Sequence, residues 1–308
     1  MPAYLDDILI AHRARAAADH RDLGLLAAQA EQGPEVRPFG PALTAANANG
    51  SIAVISEIKR RSPSKGALDL ALDPAAVAVD YEAGGAACLS VLTDENFFGG
   101  SPADLAAARG ACSLPVLRKD FTVSEADVFD ARIMGADAVL LIVAALTDPQ
   151  LGSFLALAGR LGLTALVEIH DAAELDRALA AGATVVGVNQ RNLRTFEVDH
   201  DLALTLAGKF PEGIVGVAES GIRGAEDVAR LADAGFHAVL VGETLVRSGD
   251  RRASVKALVG ARTDRVNPAG TTETAGTTAT AGTTETSGTD SPIGTEPGSG
   301  RPSVTSSS

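Results

Sequence analysis

The sequence has few cysteines and a shortage of basic side chains, and both features narrow the classes of protein it can encode. Its two cysteines, Cys88 and Cys112, each lie in an apolar stretch, so we expect reduced core thiols and not a disulfide framework. Lys and Arg total 26 against 39 Asp and Glu, which gives a formal net charge of −13. Nucleic acids and anionic membranes are bound through clustered Lys and Arg, so neither is expected as the main partner.

Long apolar runs are also missing. None approaches the roughly 20 residues that a membrane span needs, and residues 1–20 lack the continuous apolar core of a secretory signal, so we expect a cytoplasmic protein. We expect no metal, because the histidines show no ligand spacing with Cys or Asp, and we interpret His170 as structural. A dinucleotide-binding glycine fingerprint is absent as well, so no cofactor is predicted.

The last part of the chain, residues 264–308, differs sharply in composition. Thr, Gly, Ser, Ala and Pro dominate it, and the unit AGTT recurs at Ala269, Ala275 and Ala281. Without large apolar side chains such a segment cannot offset the entropy of ordering. We therefore predict a disordered tail after a catalytic domain spanning residues 1–263.

Between residues 51 and 242, short β-branched runs alternate with Ala-rich segments of helical periodicity. Eight strands are predicted: Ile52–Lys59, Ala87–Leu92, Pro115–Lys119, Ala138–Ile142, Ala165–Ile169, Val185–Asn189, Val215–Glu219 and Ala238–Val241. Eight such repeats predict an α/β protein, a closed (β/α)8 TIM barrel. An open doubly wound sheet would normally start with a Gly-rich turn, which is missing here. Residues 3–48 form an N-terminal extension, in which Tyr4–Ala30 predicts one or two helices that cap the barrel end or pack on its side.

Charged and amide side chains end one face of several predicted strands. Side chains two residues apart share a face, so Glu57 and Lys59 follow Ile55, and Lys119 follows Leu117. The opposite faces are apolar and suit burial under helices, so the polar faces are expected to point into the barrel. Since active sites of such barrels lie at the C-terminal strand ends, one mouth should collect Glu57, Lys59, Lys119, Glu168, Asn189 and Glu219. Ion pairing for structure alone is the alternative, but desolvating six such groups would be costly.

A glycine close to an acidic residue stands at the end of each of the last two predicted strands. The strings Glu219-Ser220-Gly221 and Gly242-Glu243 each precede a helical segment. Backbone N–H groups at such positions attract anions, and glycine lets the backbone approach closely. This is the usual phosphate site of the barrel fold.

The strand-end strings resemble those of indole-3-glycerol phosphate synthases, in order, over residues 3–260. They read SEIKRRSPSKG from Ser56, LTDENFFGGS from Leu92, VLRKDF from Val116, GADAVLLI from Gly135, LVEIHD from Leu166, GVNQRNL from Gly187, VAESGI from Val217 and LVGETLV from Leu240. The resemblance implies a decarboxylating, dehydrating ring closure of 1-(2-carboxyphenylamino)-1-deoxyribulose 5-phosphate in tryptophan biosynthesis. It implies a small sugar-phosphate substrate and a carbon–carbon lyase without cofactor. We expect a monomer, whose association with other tryptophan-pathway enzymes would be weak.

The resemblance also implies residue roles. Lys119 would be the general acid and Glu168 the general base. Lys59 would hold the substrate carboxylate and also act as a proton-transfer partner, with Glu57, Asn189 and Glu219 completing the polar set. The phosphate would lie against Ser62, Ser220, Gly221, Gly242 and Glu243, where the acidic side chain of Glu243 makes its own contact doubtful. Arg191, Pro63, Phe98 and Phe121 would line the pocket, the two phenylalanines beside the anthranilate ring.

Two further expectations concern chemistry and motion. Lys59 beside Lys119 should lower the pKa of Lys119 toward neutrality. The long segment from Arg60 to Leu72 is expected to act as a mobile lid.

Two competing interpretations of the function remain. One is a phosphoribosylanthranilate isomerase-like enzyme on the same fold, which would not need two inward lysines with three glutamates. The other is an inactive barrel that acts as a binding module.

Overall fold

The computed structural model describes residues 4–47 and 51–261. Between residues 51 and 261, eight short parallel strands, β1 to β8, form a closed barrel in chain order, with β8 paired to β1. They are Ala53–Ile58, Cys88–Leu92, Val116–Lys119, Ala138–Ile142, Thr164–Ile169, Val185–Asn189, Val215–Glu219 and Ala238–Val241. The predicted (β/α)8 barrel is confirmed, and the observed strands differ from the predicted ones by at most one residue at either end.

Closure of the barrel follows from the pairing of its first strand. Ala53 of β1 lies opposite Ala238 of β8, and Ile55 lies opposite Cys88 of β2. Because each of the eight strands is paired on both sides and the last strand pairs with the first, the sheet has no edge strand, and the open doubly wound sheet is excluded. All residues of β1, β2, β4, β6 and β8 are buried, as expected for parallel strands covered by helices.

The N-terminal extension contributes more helix than predicted. Among the described residues before β1 there are three helices, α1 (Tyr4–Ala17), α2 (Leu23–Glu31) and α3 (Phe39–Asn47). The first two are the helices predicted within Tyr4–Ala30, and α3, beyond that range, was not predicted. The Pro and Gly residues between 33 and 41 concealed α3 from a periodicity argument. The barrel helices that follow are α4 to α13: Pro74–Gly84, Glu95–Phe98, Pro102–Ala111, Glu125–Ile133, Asp148–Arg160, Ala172–Ala180, Leu202–Ala207, Ala225–Ala234, Glu243–Val246 and Arg251–Val259.

Helix α1 lies across the C-terminal mouth of the barrel. His12 contacts Asp94 after β2 at 3.0 Å, and Arg13 donates to the carbonyl of Ala145 after β4 at 2.9 Å. At the other end of the helix, the rings of Tyr4 and Phe196 have centroids 4.7 Å apart. The extension therefore caps the end of the barrel at which the active site was expected.

Helix α3 lies at the opposite end. The backbone N–H of Gly40 donates to the Thr164 hydroxyl at the start of β5 at 3.3 Å. Asn47 donates to the carbonyl of His237, just before β8, at 3.0 Å. Phe39 and Leu43 are fully buried. The helix thus closes the N-terminal end of the barrel with apolar side chains.

The segment after β1 is folded back on itself. Arg61–Ser62 pairs antiparallel with Gly66–Ala67 in a small hairpin that the sequence did not predict. Arg60 is held by Asp104 at 2.8 Å, and Arg61 donates to the carbonyl of Glu95 at 3.1 Å. The base of the predicted lid is therefore anchored, while Lys65 at its tip is exposed.

Cys88 and Cys112 are free thiols, the first buried and the second half-buried. The pKa of each thiol is raised by burial, which makes the thiolate rare at neutral pH. Across residues 4–47 and 51–261 no helix is both long and apolar enough to cross a membrane. The predicted tail, residues 264–308, lies outside the described residues.

Candidate active site

A cavity of about 460 Å³ opens at the C-terminal ends of the strands. Every site residue predicted from the sequence lines it: Glu57, Lys59, Ser62, Pro63, Phe98, Lys119, Phe121, Glu168, Asn189, Arg191, Glu219, Ser220, Gly221, Gly242 and Glu243. The alternation of faces along the strands explains this convergence, because each inward face turns polar at its final residues.

Lys119 at the end of β3 is the centre of an ion-pair cluster. Its Nζ lies 2.7 Å from Glu168 Oε2 and 2.7 Å from Glu219 Oε2. Asn189 donates its Nδ2 to the other oxygen of Glu168, Oε1, at 3.0 Å. Lys59 hydrogen-bonds Glu57 from the next residue on the same inward face. The ends of β1, β3, β5 and β7 thus hold both lysines against carboxylates, and Asn189 at the end of β6 supports one of these carboxylates.

The pKa of Lys119 is raised, and the expected lowering was wrong. Burial lowers the pKa, but the charges of Glu168 and Glu219 raise it by more. Lys59, the cation that was expected to act on Lys119, is neutralised by its own partner, Glu57. Lys119 is consequently held as an ammonium group that donates hydrogen bonds to Glu168 and Glu219.

The two carboxylates that share Lys119 are not equivalent. Burial raises the pKa of Glu219 to about 7, because the attraction of Lys119 offsets only part of the desolvation and the charge of Glu168 adds to it. Burial also acts on Glu168, but Lys119, His170 and the hydrogen bond from Asn189 together lower its pKa. Near neutral pH, Glu168 is ionised and Glu219 is partly protonated. The second oxygen of Glu219, Oε1, is buried and has no hydrogen-bond partner among the described residues.

Two glycines make room for these carboxylates. A Cβ at Gly187 on β6 would collide with Glu219 Oε1, and a Cβ at Gly242 would collide with Glu57 Oε1. Gly187 lies on β6, which pairs with the strand of Glu219, β7. Gly242 directly follows β8, which pairs with the strand of Glu57, β1. Their value here is the missing side chain, which lets the charged groups lie flat against the barrel wall.

The backbone after β7 has the conformation expected for a close approach to an anion. Ser220 and Gly221 have φ of +67° and +73°, and Ser220 is one of two described non-glycine residues with a positive φ. Gln190 holds this turn by donating to the Ser220 carbonyl at 2.8 Å. Successive residues of positive φ bring neighbouring N–H groups to one side of the chain, a geometry that suits a phosphate.

Glu243, after β8, forms an ion pair at the rim of the cavity. Its Oε1 lies 3.5 Å from Arg247 Nε, one turn later in the chain. Arg247 lines the cavity with Glu243. The acidic side chain at the predicted phosphate site thus has a cationic partner, Arg247, that the sequence argument did not identify.

One wall of the cavity is aromatic. The rings of Phe98 and Phe121 have centroids 6.2 Å apart. Asp94 fixes the first ring, because its carboxylate accepts from the backbone N–H groups of Phe97 and Phe98 at 2.6 Å and 3.1 Å. The second ring packs against His12 of α1, with centroids 5.2 Å apart. The wall is thus tied to the helix that crosses the mouth.

A buried group behind this wall was not found from the sequence. His12, Asp94 and Asp120 bring together nitrogen and oxygen atoms that could hold a metal ion. Each already has charged or hydrogen-bonding partners: Arg15 contacts His12 Nδ1 at 2.9 Å, and Arg118 contacts Asp120 at 3.0 Å. The arrangement is therefore a satisfied polar network that fastens α1 to the ends of β2 and β3.

The sequence argument also missed cationic and apolar groups in the loops at the rim. Arg223, Arg247, His200, Leu193 and Phe196 all line the cavity. They lie in loops or short helices whose direction no strand periodicity predicts. Arg191, by contrast, was predicted, and it donates to the Phe196 carbonyl at 3.0 Å, which holds the loop after β6. The rim thus carries three arginines, of which Arg223 is paired with Asp227 at 2.8 Å and Arg247 with Glu243 at 3.5 Å.

Comparison with known proteins agrees with this geometry. The family model described as indole-3-glycerol phosphate synthase matches residues 5–258. An indole-3-glycerol phosphate synthase of Parafrankia sp. (strain EAN1pec) is 51% identical over 84% of this chain and 96% of its own length. That of Beutenbergia cavernae is 56% identical over 68% and 78%. The N-acetylmannosamine-6-phosphate 2-epimerase of Clostridium perfringens is similar in fold alone, with a TM-score of 0.53 and 14% identity over 68% of this chain and 92% of its own.

Proposed function

The chain belongs to the indole-3-glycerol phosphate synthase family, and from this premise we propose the reaction it catalyses and the role of each cavity residue. It is an enzyme of tryptophan biosynthesis, and the reaction is the ring closure of 1-(2-carboxyphenylamino)-1-deoxyribulose 5-phosphate with loss of carbon dioxide and water. The observation that carries the role assignment is Lys119 held between Glu168 and Glu219, with Lys59 at the same mouth.

Lys119 is proposed as the general acid. The ring carbon that bears the carboxylate attacks the ketose carbonyl, and the carbonyl oxygen takes a proton from Lys119 as the new carbon–carbon bond forms. A raised pKa keeps Lys119 protonated before the reaction. The alkoxide that develops is a stronger base than an amine, so the transfer remains favourable once the substrate is bound.

Lys59 is proposed to hold the substrate carboxylate, with Phe98 and Phe121 against the aromatic ring. When that carboxylate leaves as carbon dioxide, its bonding electrons return to the ring and restore aromaticity. Lys59, left without the departed carboxylate, then donates a proton to the hydroxyl, which leaves as water when its carbon–oxygen bond breaks, and Glu168 takes the proton that the new ring releases as its double bond forms. An ionised Glu168 with a lowered pKa is ready to accept this proton.

The phosphate is proposed to lie against the backbone of Ser220, Gly221, Gly242 and Glu243, with Ser62 opposite. Arg223 and Arg247 supply positive charge at this end of the cavity. Positioned cations and backbone donors compensate the dianion, which the acidic surface of the chain would otherwise repel. A sugar-phosphate isomerase needs only one acid and one base, so the family assignment and the larger charged set both favour the synthase.

Single-residue variants test these assignments. Indole fluorescence reports turnover of the carboxyphenylamino sugar phosphate, and Lys119→Ala and Glu168→Gln are each expected to lower kcat by about 10²- to 10⁴-fold. The matched control is Lys209→Ala, an exposed lysine distant from the cavity lining. Near-normal turnover in a folded Lys119→Ala protein would remove Lys119 from the acid role.

The catalytic domain is proposed to end near residue 263, since the family match stops at residue 258. Deleting residues 264–308 should then leave kcat and the melting temperature unchanged. We also propose a monomer in the cytoplasm, which sedimentation and cell fractionation can measure. A large loss of activity on truncation would extend the catalytic unit into that segment.

A further inference from the structure

His170 stands at the edge of the ion-pair cluster, directly after β5. Glu174 on α9 fixes the residue twice, because its Oε2 accepts from the His170 backbone N–H at 2.7 Å and lies 3.1 Å from the ring Nδ1. The other ring nitrogen, Nε2, lies 3.6 Å from Glu168 Oε1. This Nε2 atom is buried and has no hydrogen-bond partner within the part of the chain that the structure describes.

Carboxylates on both sides decide the protonation state of the ring. A neutral imidazole carries one N–H and one lone pair, so either tautomer directs its lone pair at a carboxylate, that of Glu174 or that of Glu168. Only the imidazolium presents an N–H to each. The contact between Nε2 and Glu168 Oε1 needs a shift of a few tenths of an ångström to become a hydrogen bond.

The charged groups at the strand ends also favour the imidazolium form of His170. At the strand ends, the carboxyl groups of Glu57, Glu168 and Glu219 outnumber the ammonium groups of Lys59 and Lys119 by one. Excess negative charge is one reason why the pKa of Glu219 is raised. A cation beside Glu168 would favour the ionised form of this carboxyl group without entering the reaction space.

We propose that His170 acts as a positioning residue that, as an imidazolium clamped by Glu174, holds Glu168 ionised and oriented for proton transfer. The inference rests on the proposed role of Glu168 as the base. The groups that act on the ring are Glu174 from α9, Glu168 from its own strand and Glu219 from β7. Burial lowers the pKa of His170, and these carboxylates outweigh it, so the pKa is raised overall.

The first experiment measures the pH dependence of kcat/KM in His170→Gln, Glu174→Gln and the double variant. Without the imidazolium the pKa of Glu168 rises, so the acid limb of the profile of His170→Gln should move up by about one pH unit, which costs on the order of tenfold in rate on that limb. Glu174→Gln should shift the limb less, and the double variant no further than His170→Gln. The matched control is His20→Gln, an exposed histidine, for which no shift is expected.

The second measurement is independent of activity. The His170 C2 proton, assigned by its loss in His170→Gln, is titrated by NMR in the wild type, Glu168→Gln and Glu174→Gln, and its pKa should fall in both variants. If Glu168→Gln keeps full turnover, the role of Glu168 as base fails, although the titration still responds. An unmoved acid limb in His170→Gln, a uniform loss of rate at every pH, or a His170 titration indifferent to both substitutions would each overturn the inference.

Discussion

Glu219 makes the stability of this protein depend on pH in an unusual direction. Burial raises its pKa from an ordinary 4.5 to about 7. Between these two values the folded protein keeps a proton that the unfolded chain releases, so folding is less favourable as pH rises through this window. Above pH 7 the deficit is constant, and 2.5 pKa units correspond to about 3 kcal/mol.

Glu219→Gln should remove this deficit, because glutamine resembles the protonated carboxyl in shape and charge. Lys119 keeps its other partner, Glu168, at 2.7 Å. At pH 5 the variant and the wild type should therefore be nearly equal in stability. At pH 8 the variant should be more stable by on the order of 3 kcal/mol, which for a domain of this size raises the melting temperature by about 6 to 12 °C.

The assay is thermal unfolding followed by circular dichroism at half-unit steps from pH 5 to 8. The quantity of interest is the difference in melting temperature between variant and wild type, so other titrating groups cancel. Glu212→Gln, an exposed carboxylate, serves as control and should give parallel curves. If the difference for Glu219→Gln stays constant over the whole range, the raised pKa and the reasoning from burial are refuted.

Three further outcomes are expected. Gly187→Ala should displace the buried carboxylate of Glu219 and lower the free energy of unfolding by about 1–3 kcal/mol. The control is Gly152→Ala, in a helix and with no atom within 4 Å of the added Cβ, which should be neutral or slightly stabilising. Urea unfolding measures both. Trypsin should cut the exposed Lys65 first in the free enzyme and more slowly with a substrate analogue bound, and equal rates would argue against a lid. Arg247→Ala should raise KM about tenfold with little change in kcat, because it removes a cation and frees the acidic side chain of Glu243; an unchanged KM would place the phosphate elsewhere.

The barrel and its inward-facing residues could be predicted because both depend on the spacing of apolar residues within each strand and helix. A strand alternates its faces, so Glu168 and Lys119 had to share a side with their apolar neighbours two residues earlier. The ion-pair partners of an inward side chain depend on the register between neighbouring strands, and the alternation of residues along one strand does not specify that register. The sequence therefore placed Lys119 in the mouth but paired it with Lys59, and the sign of its pKa shift came out wrong.

Contacts between distant segments were hidden for a similar reason. His170 was interpreted as structural, since only its position opposite Glu168 and over Glu174 reveals two carboxylates at one ring. His12 gave no ligand spacing, because Asp94 is 82 residues away in the chain. Rim arginines such as Arg223 follow loops, whose course the pattern of apolar residues does not specify.

The two helices that close the ends of the barrel also set an order of assembly. Asn47 of α3 bonds the carbonyl of His237, 190 residues later, and at about 5–20 residues per second the ribosome needs roughly 10–40 s to deliver that partner. Until then the apolar face of α3, with Phe39 and Leu43, has no complete barrel floor to cover. Helix α3 is thus synthesised before every strand of the barrel and completes its docking only after the last strand has been made.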